Sequence, residues 1–182
     1  MLLSLSTRLR LGVMSHHQPP PHAQPQAPAL DWSAENCSVA RTLDIIGEKW
    51  TLVVLREVFS GIRRFEDMRV RTAIPRQVLS LRLARLVDVG ILRREAYREK
   101  GQRQRQEYRL TSKGVDLHPV LLSLMTWGDT YLADPDGPSL ELYHRGCGGS
   151  VQLELRCSTG HGDLTARDVR PRPGPAARLR SA

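Results

Sequence analysis

Helical apolar periods over residues 36–89, a switch to a strand, polar tip and strand pattern over 91–110, and positive charge gathered on the same stretch predict a mainly α (α+β) chain, a winged helix-turn-helix followed by a small C-terminal β extension. The 182 residues leave room for about one domain with appendages, since domains run ~100–200 residues. The charge is unevenly placed. Between Ser60 and Lys113 stand fifteen Lys/Arg and six Asp/Glu, a net +9, and the rest of the chain is at −1. Arginine outnumbers lysine 24 to 3; biased coding explains that ratio but not the clustering. Clustered positive charge suits a polyanion, because each neutralised phosphate releases counterions. A nucleic acid is therefore the expected partner, and the helix-turn-helix makes it double-stranded DNA.

Several classes are excluded at this stage. No stretch reaches the ~18–20 apolar residues of a membrane span, so no membrane partner is expected. Three cysteines are too few for a disulfide framework. Arg8 and Arg10 split the apolar N-terminus, so no secretory core forms, a cytoplasmic location is expected, and Met14 is an alternative start. The chain lacks GxSxG, P-loop, HExxH and GxGxxG patterns, and Cys147 and Cys157 form no CxxC pair, so no enzyme activity is expected.

The elements follow in order. Residues 1–30 are rich in proline and glutamine and read as a disordered leader. Residues 31–133 hold the main domain. Val39, Leu43 and Ile46 mark a helix that Asn36 would cap and Gly47 would end. A second helix covers about Glu48–Phe59, with Trp50, Val53, Val54 and Val58 on its apolar face. Ile62–Arg64 reads as extended, and 64–71 as two helical turns with Phe65 and Met68 on one face. After Thr72-Ala73-Ile74, Pro75 suits the first position of a stronger helix to Val89, with Leu79, Leu83, Leu86 and Val87 inward and Gly90 closing it. Residues 91–97 and 106–110 form a hairpin with a basic tip. Thr111 or Ser112 then caps a long helix to about Leu132, which Pro119 should kink or break.

Two helices joined by a tight turn, then a hairpin, make a winged helix-turn-helix whose second helix enters the major groove. Its outward face holds Arg76, Gln77 and Ser80, with Arg82 nearby. Arginine bridges the two acceptors of guanine and glutamine pairs with adenine. Ser80 and Arg82 fit base or phosphate contacts. Arg63 and Arg64 before the pair, and Arg98, Lys100, Arg103 and Arg105 in the hairpin, fit the backbone or minor groove. One recognition helix reads few base pairs, so a dimer with two of them about one DNA turn apart is expected.

Residues 134–170 differ in character. Residues 140–144 and 151–155 look like short strands. Around them, His144-x2-Cys147 and Cys157-x3-His161 resemble the paired ligands of a small zinc ribbon, which would be a structural site because four protein ligands leave no open position. No other cofactor is required. Residues 171–182 read as a disordered tail.

Four ordered motifs carry a family resemblance: Cys37-Ser-Val-Ala-Arg-Thr-Leu-Asp-Ile-Ile-Gly-Glu-Lys-Trp50-Thr-Leu, Arg63-Arg64-Phe65, Leu79-Ser80-x-Arg82-Leu83, and Glu107-Tyr108-Arg-Leu-Thr111-x-x-Gly114. Over about 36–132 the chain closely resembles the bacterial HxlR-type winged helix-turn-helix transcriptional regulators. Ser38 departs from the family's frequent proline. The resemblance implies a homodimer on a roughly palindromic operator, in repressors or activators, and flanking dimerisation helices, here near Cys37–Ile46 and Val115–Leu132. It also implies that Cys37 can serve as a redox sensor, consistent with the thiol-activating start of a helix. The expected reading is thus a DNA-binding repressor answering to an unidentified small-molecule or redox effector. The alternatives are a winged-helix protein-interaction module and a thiol-based redox regulator using Cys37.

Overall fold

The computed structural model describes Ser33, residues 35–98, Gly101 and residues 103–179. The whole of the expected leader, the end of the expected tail and Lys100 lie outside the described residues. The chain divides into a unit of 1–33 with 172–182 and a unit of 34–171. In the first, the Ser33 amide donates to the Arg178 carbonyl at 2.9 Å. All elements named below belong to the second.

Helix α1 spans Ser38–Ile46 and ends at Gly47, whose amide returns to Leu43. Its N-cap is Cys37 rather than Asn36, and no side chain caps it. α2 spans Lys49–Phe59, with Thr51, Val54, Leu55, Glu57 and Val58 buried. The inward face is thus rotated from the expected one, leaving Trp50 and Val53 only half-buried. α3 spans Phe65–Thr72 and α4 spans Arg76–Asp88. The turn between them places Ala73 in the left-handed region at φ 54°. Thr72 braces the turn: its hydroxyl donates to the Met68 carbonyl at 2.7 Å and accepts from the Ile74 amide at 3.3 Å. Pro75, expected as the first helical residue, is the N-cap of α4, and the helix proper starts one residue later at Arg76.

Gly90, at φ 70°, turns the chain out of α4 as expected. Strands β1 (Leu92–Tyr97) and β2 (Arg105–Leu110) pair antiparallel with Leu92 opposite Leu110 and Tyr97 opposite Arg105. The extended 62–64 segment joins their edge, where the Tyr108 amide donates to the Arg63 carbonyl at 2.8 Å. Thr111 caps the next helix by accepting from the Gly114 amide. Pro119 then acts as a break, separating α5 (Ser112–Val115) from α6 (His118–Tyr131), where it occupies the first turn. Buried Ile46, Val54, Leu55, Met68, Ile74, Leu79, Leu83, Leu86, Ile91, Leu92 and Leu121 form one core on which both helices of the pair rest. The result is the expected winged helix-turn-helix.

Gly114 is where this packing is tightest. A Cβ built there would lie 2.3 Å from the Ile91 carbonyl oxygen and 3.0 Å from Leu110 Cδ2. Backbone cannot yield as a flexible side chain can, so Gly114→Ala is expected to destabilise the fold by about 2 kcal/mol. Urea unfolding measures this directly.

The extension corrects one expectation. Residues 140–144 and 151–155 do not form strands; an isolated bridge pairs Tyr143 with Ser150, just before the second segment. The His144 amide donates to Gly149 at 2.8 Å and the Val151 amide to Leu142 at 2.8 Å, making a tight turn rather than a ladder.

Candidate nucleic-acid interface

Helix α4 is positioned by its buried side. Leu79, Leu83 and Leu86 are essentially without solvent contact. Helical spacing then puts Gln77 and Ser80 on the exposed side, as the structure places them. Leu81 joins them at 61% exposure. Sequence reasoning did not single it out; its place one turn after Gln77 was the available signal. An exposed apolar side chain here suits contact with a thymine methyl.

Arg76 opens the helix with a 71% exposed side chain. Its Nη1 donates to Glu66 at 2.6 Å, and its guanidinium lies 5.1 Å from the Phe65 ring centroid. Glu66 also accepts from Arg69 at 2.7 Å. These bonds, Arg69's first and Arg76's second, hold the Glu66 carboxyl below its usual pKa. Glu66 was not anticipated, and it holds the α4 arginine against α3.

Arg82 requires a correction. It lies three residues after Leu79 and four before Leu86, on the border of the buried stripe. Its side chain is 20% exposed and ion-paired with Glu48 at the start of α2. It therefore ties α4 to α2 and does not belong to the outward face. Its Nε is buried without a hydrogen-bond partner among the described residues.

The wing gathers several of the expected cations. Arg63 is exposed in the edge segment. Arg64 stacks 4.4 Å from the Tyr97 ring centroid, joining that segment to β1. Arg98, Arg103 and Arg105 are exposed around the tip, and Lys100 lies outside the described residues. Other wing arginines are paired within the sheet. Arg109 donates to Glu107 at 2.5 Å and lies 3.3 Å from Glu95, and Arg93 meets Glu95 at 2.7 Å. The Glu107 bond foremost, against the cost of desolvation, raises the Arg109 pKa.

Cys37 is half-buried at the start of α1 and is a free thiol. The four expected zinc donors form two local pairs. His144 Nδ1 lies 3.3 Å from Cys147 Sγ, and Cys157 Sγ lies 3.2 Å from His161 Nδ1. Hydrogen bonds from the Thr159 side chain, then His161, bring the Cys157 thiol pKa down to about 6. Among the described residues no three His, Cys, Asp or Glu side chains gather as a metal site. The arrangement therefore does not fit a single tetrahedral ion. Among the described residues no helix is long and apolar enough to cross a membrane.

Comparison with known proteins agrees with this architecture. The profile of HxlR-like helix-turn-helix proteins matches residues 45–136. An uncharacterized HTH-type transcriptional regulator of Mycobacterium tuberculosis is 44% identical over 148 residues, covering 81% of this chain and 92% of the relative. The regulator YdeP of Bacillus subtilis is 37% identical over 106 residues, covering 56% and 81% respectively. Among solved structures, PA1607, a candidate transcription factor, matches at TM-score 0.65 and 35% identity over 75% of this chain and 94% of its own. PA1374 from Pseudomonas aeruginosa matches at TM-score 0.53 and 31% identity over 78% and 95%. This chain belongs to the HxlR-like helix-turn-helix family of transcriptional regulators.

Proposed function

We propose that the protein is a sequence-specific repressor that binds a near-palindromic operator as a homodimer, with two α4 helices in successive major grooves and two wings on the flanking backbone. The observation that carries this reading is the outward face of α4, where Gln77, Ser80 and Leu81 stand opposite the buried Leu79, Leu83 and Leu86, with Arg76 at the helix start. The homodimer is supported by apolar side chains left in solvent on both terminal helices: Val39 and Leu43 on α1, and Val120, Leu124, Trp127 and Tyr131 on α6. An effector, whether a small molecule or an oxidant acting at Cys37, would work by changing how these helices set the spacing of the two α4 helices.

Arg76→Ala tests the base-reading assignment. It should cost roughly 1–3 kcal/mol on the operator and relax specificity there. Lys100→Ala should weaken operator and random DNA alike, as loss of a phosphate contact does. Fluorescence anisotropy on both DNAs gives the comparison. Equal losses on operator and random DNA for Arg76→Ala would refute the assignment.

A further inference from the structure

The C-terminal extension closes a cleft against the winged helix-turn-helix. Leu140 and Leu142 of the extension, Phe59 of α2, and Leu121, Leu122 and Met125 of α6 line a space of about 220 Å³. A second space of about 190 Å³ shares Leu122, Met125, Leu140 and Leu142 with it, so the apolar wall continues along the extension. The first volume equals roughly seven waters at ~30 Å³ each, enough for one substituted aromatic ring. Apolar space of this kind bounded by few polar groups is the usual form of a small-molecule site.

The charge in the polar lining comes from Arg56. Arg56, Ser60 and His118 contribute to the wall, and the His118 ring packs 4.9 Å from the Phe59 ring centroid. Arg56 donates to Glu57 through Nε at 3.1 Å and Nη2 at 2.5 Å. Glu57 is shared with Arg71, which donates to it at 2.7 Å. Two guanidiniums against one carboxylate leave a positive excess. The Arg56 side chain is half in solvent and keeps N–H groups beyond those given to Glu57. An incoming carboxylate matches both the charge and the forked geometry of that group.

We propose that this cleft is a binding site for a small apolar acid, with the carboxylate on Arg56 and the hydrocarbon body between α2, α6 and the extension. The site has a direct line to the helix-turn-helix, because Arg56 shares with Arg71 of α3 the carboxylate of Glu57. A ligand that takes up Arg56 alters the brace between α2 and α3.

The test reads ligand binding itself and needs no operator. Full-length protein is titrated calorimetrically with 4-phenylbutyrate and with 4-phenyl-1-butanol, which differ only in the head group. The acid should bind saturably, and the alcohol about tenfold more weakly. Arg56→Gln should erase the difference between the two. Leu142→Trp, outside the core cluster, should fill the cleft and abolish binding of both. Absence of saturable binding by the acid overturns the proposal. So does acid binding that survives Leu142→Trp in a folded protein, since the acid would then sit elsewhere, such as on the exposed face around Trp127.

Discussion

Trp127→Glu is expected to convert the protein to a monomer and to lower operator affinity by about a hundredfold or more. Trp127 is 58% exposed, and its ring lies 5.3 Å from that of Tyr131. Val120, Leu124, Trp127 and Tyr131 recur at helical spacing on α6. A single exposed apolar residue needs no explanation, but a stripe of them on one helix marks a surface that another chain covers. In a two-fold dimer each substitution occurs twice, so two carboxylates would lose water without a partner. One half-site contact then remains where two acted together. Light scattering and operator titration on the same sample check both parts. A monomeric wild type, or a Trp127→Glu variant that stays dimeric, would contradict the assignment of this face.

Glu57→Ala is expected to destabilise the fold by about 3 kcal/mol, the lower end of the cost of breaking a buried ion pair, since both arginine partners are half in solvent. The Glu57 side chain is only 2% exposed. Burial pushes its carboxyl pKa up, but the hydrogen bonds from Arg71 and then Arg56 together outweigh that and hold it below its usual value. A carboxyl lowered on folding stabilises the native state above its unfolded pKa, about 4.3, and that contribution is lost as pH falls through the folded pKa. Urea unfolding at neutral pH should show the full loss for Glu57→Ala. Towards acid, the gap between wild type and Glu57→Gln should narrow. A gap that stays constant from neutral pH to below pH ~3 would show that ionisation of Glu57 contributes nothing.

These cases show what is legible in a sequence of this kind. Gly47, Gly90, Thr111 and Pro119 act through their own backbone or hydroxyl chemistry, and each terminates, caps or divides a helix as local rules require. The hairpin follows from alternation around a polar tip, although Lys100 falls outside the described residues. The pairing of Arg82 was not legible, because a residue on the border of a helical stripe is held by what stands across from it, here Glu48 at the start of another helix. Glu57 escaped notice for the same reason, its principal partner being Arg71, fourteen positions away. The alternating residues of the extension meet only in one bridge, because alternation alone does not set a register where glycines turn the chain.

The most direct test of the central claim is selection of genomic fragments from the source organism by the purified full-length protein at two salt concentrations. Counterion release weakens every phosphate contact as salt rises, whereas base contacts persist. The expected result is one discrete, near-palindromic site, with half-sites about one DNA turn apart, that is retained at the higher salt. Retention of fragments without common sequence, all lost at the higher salt, would contradict a sequence-reading dimer.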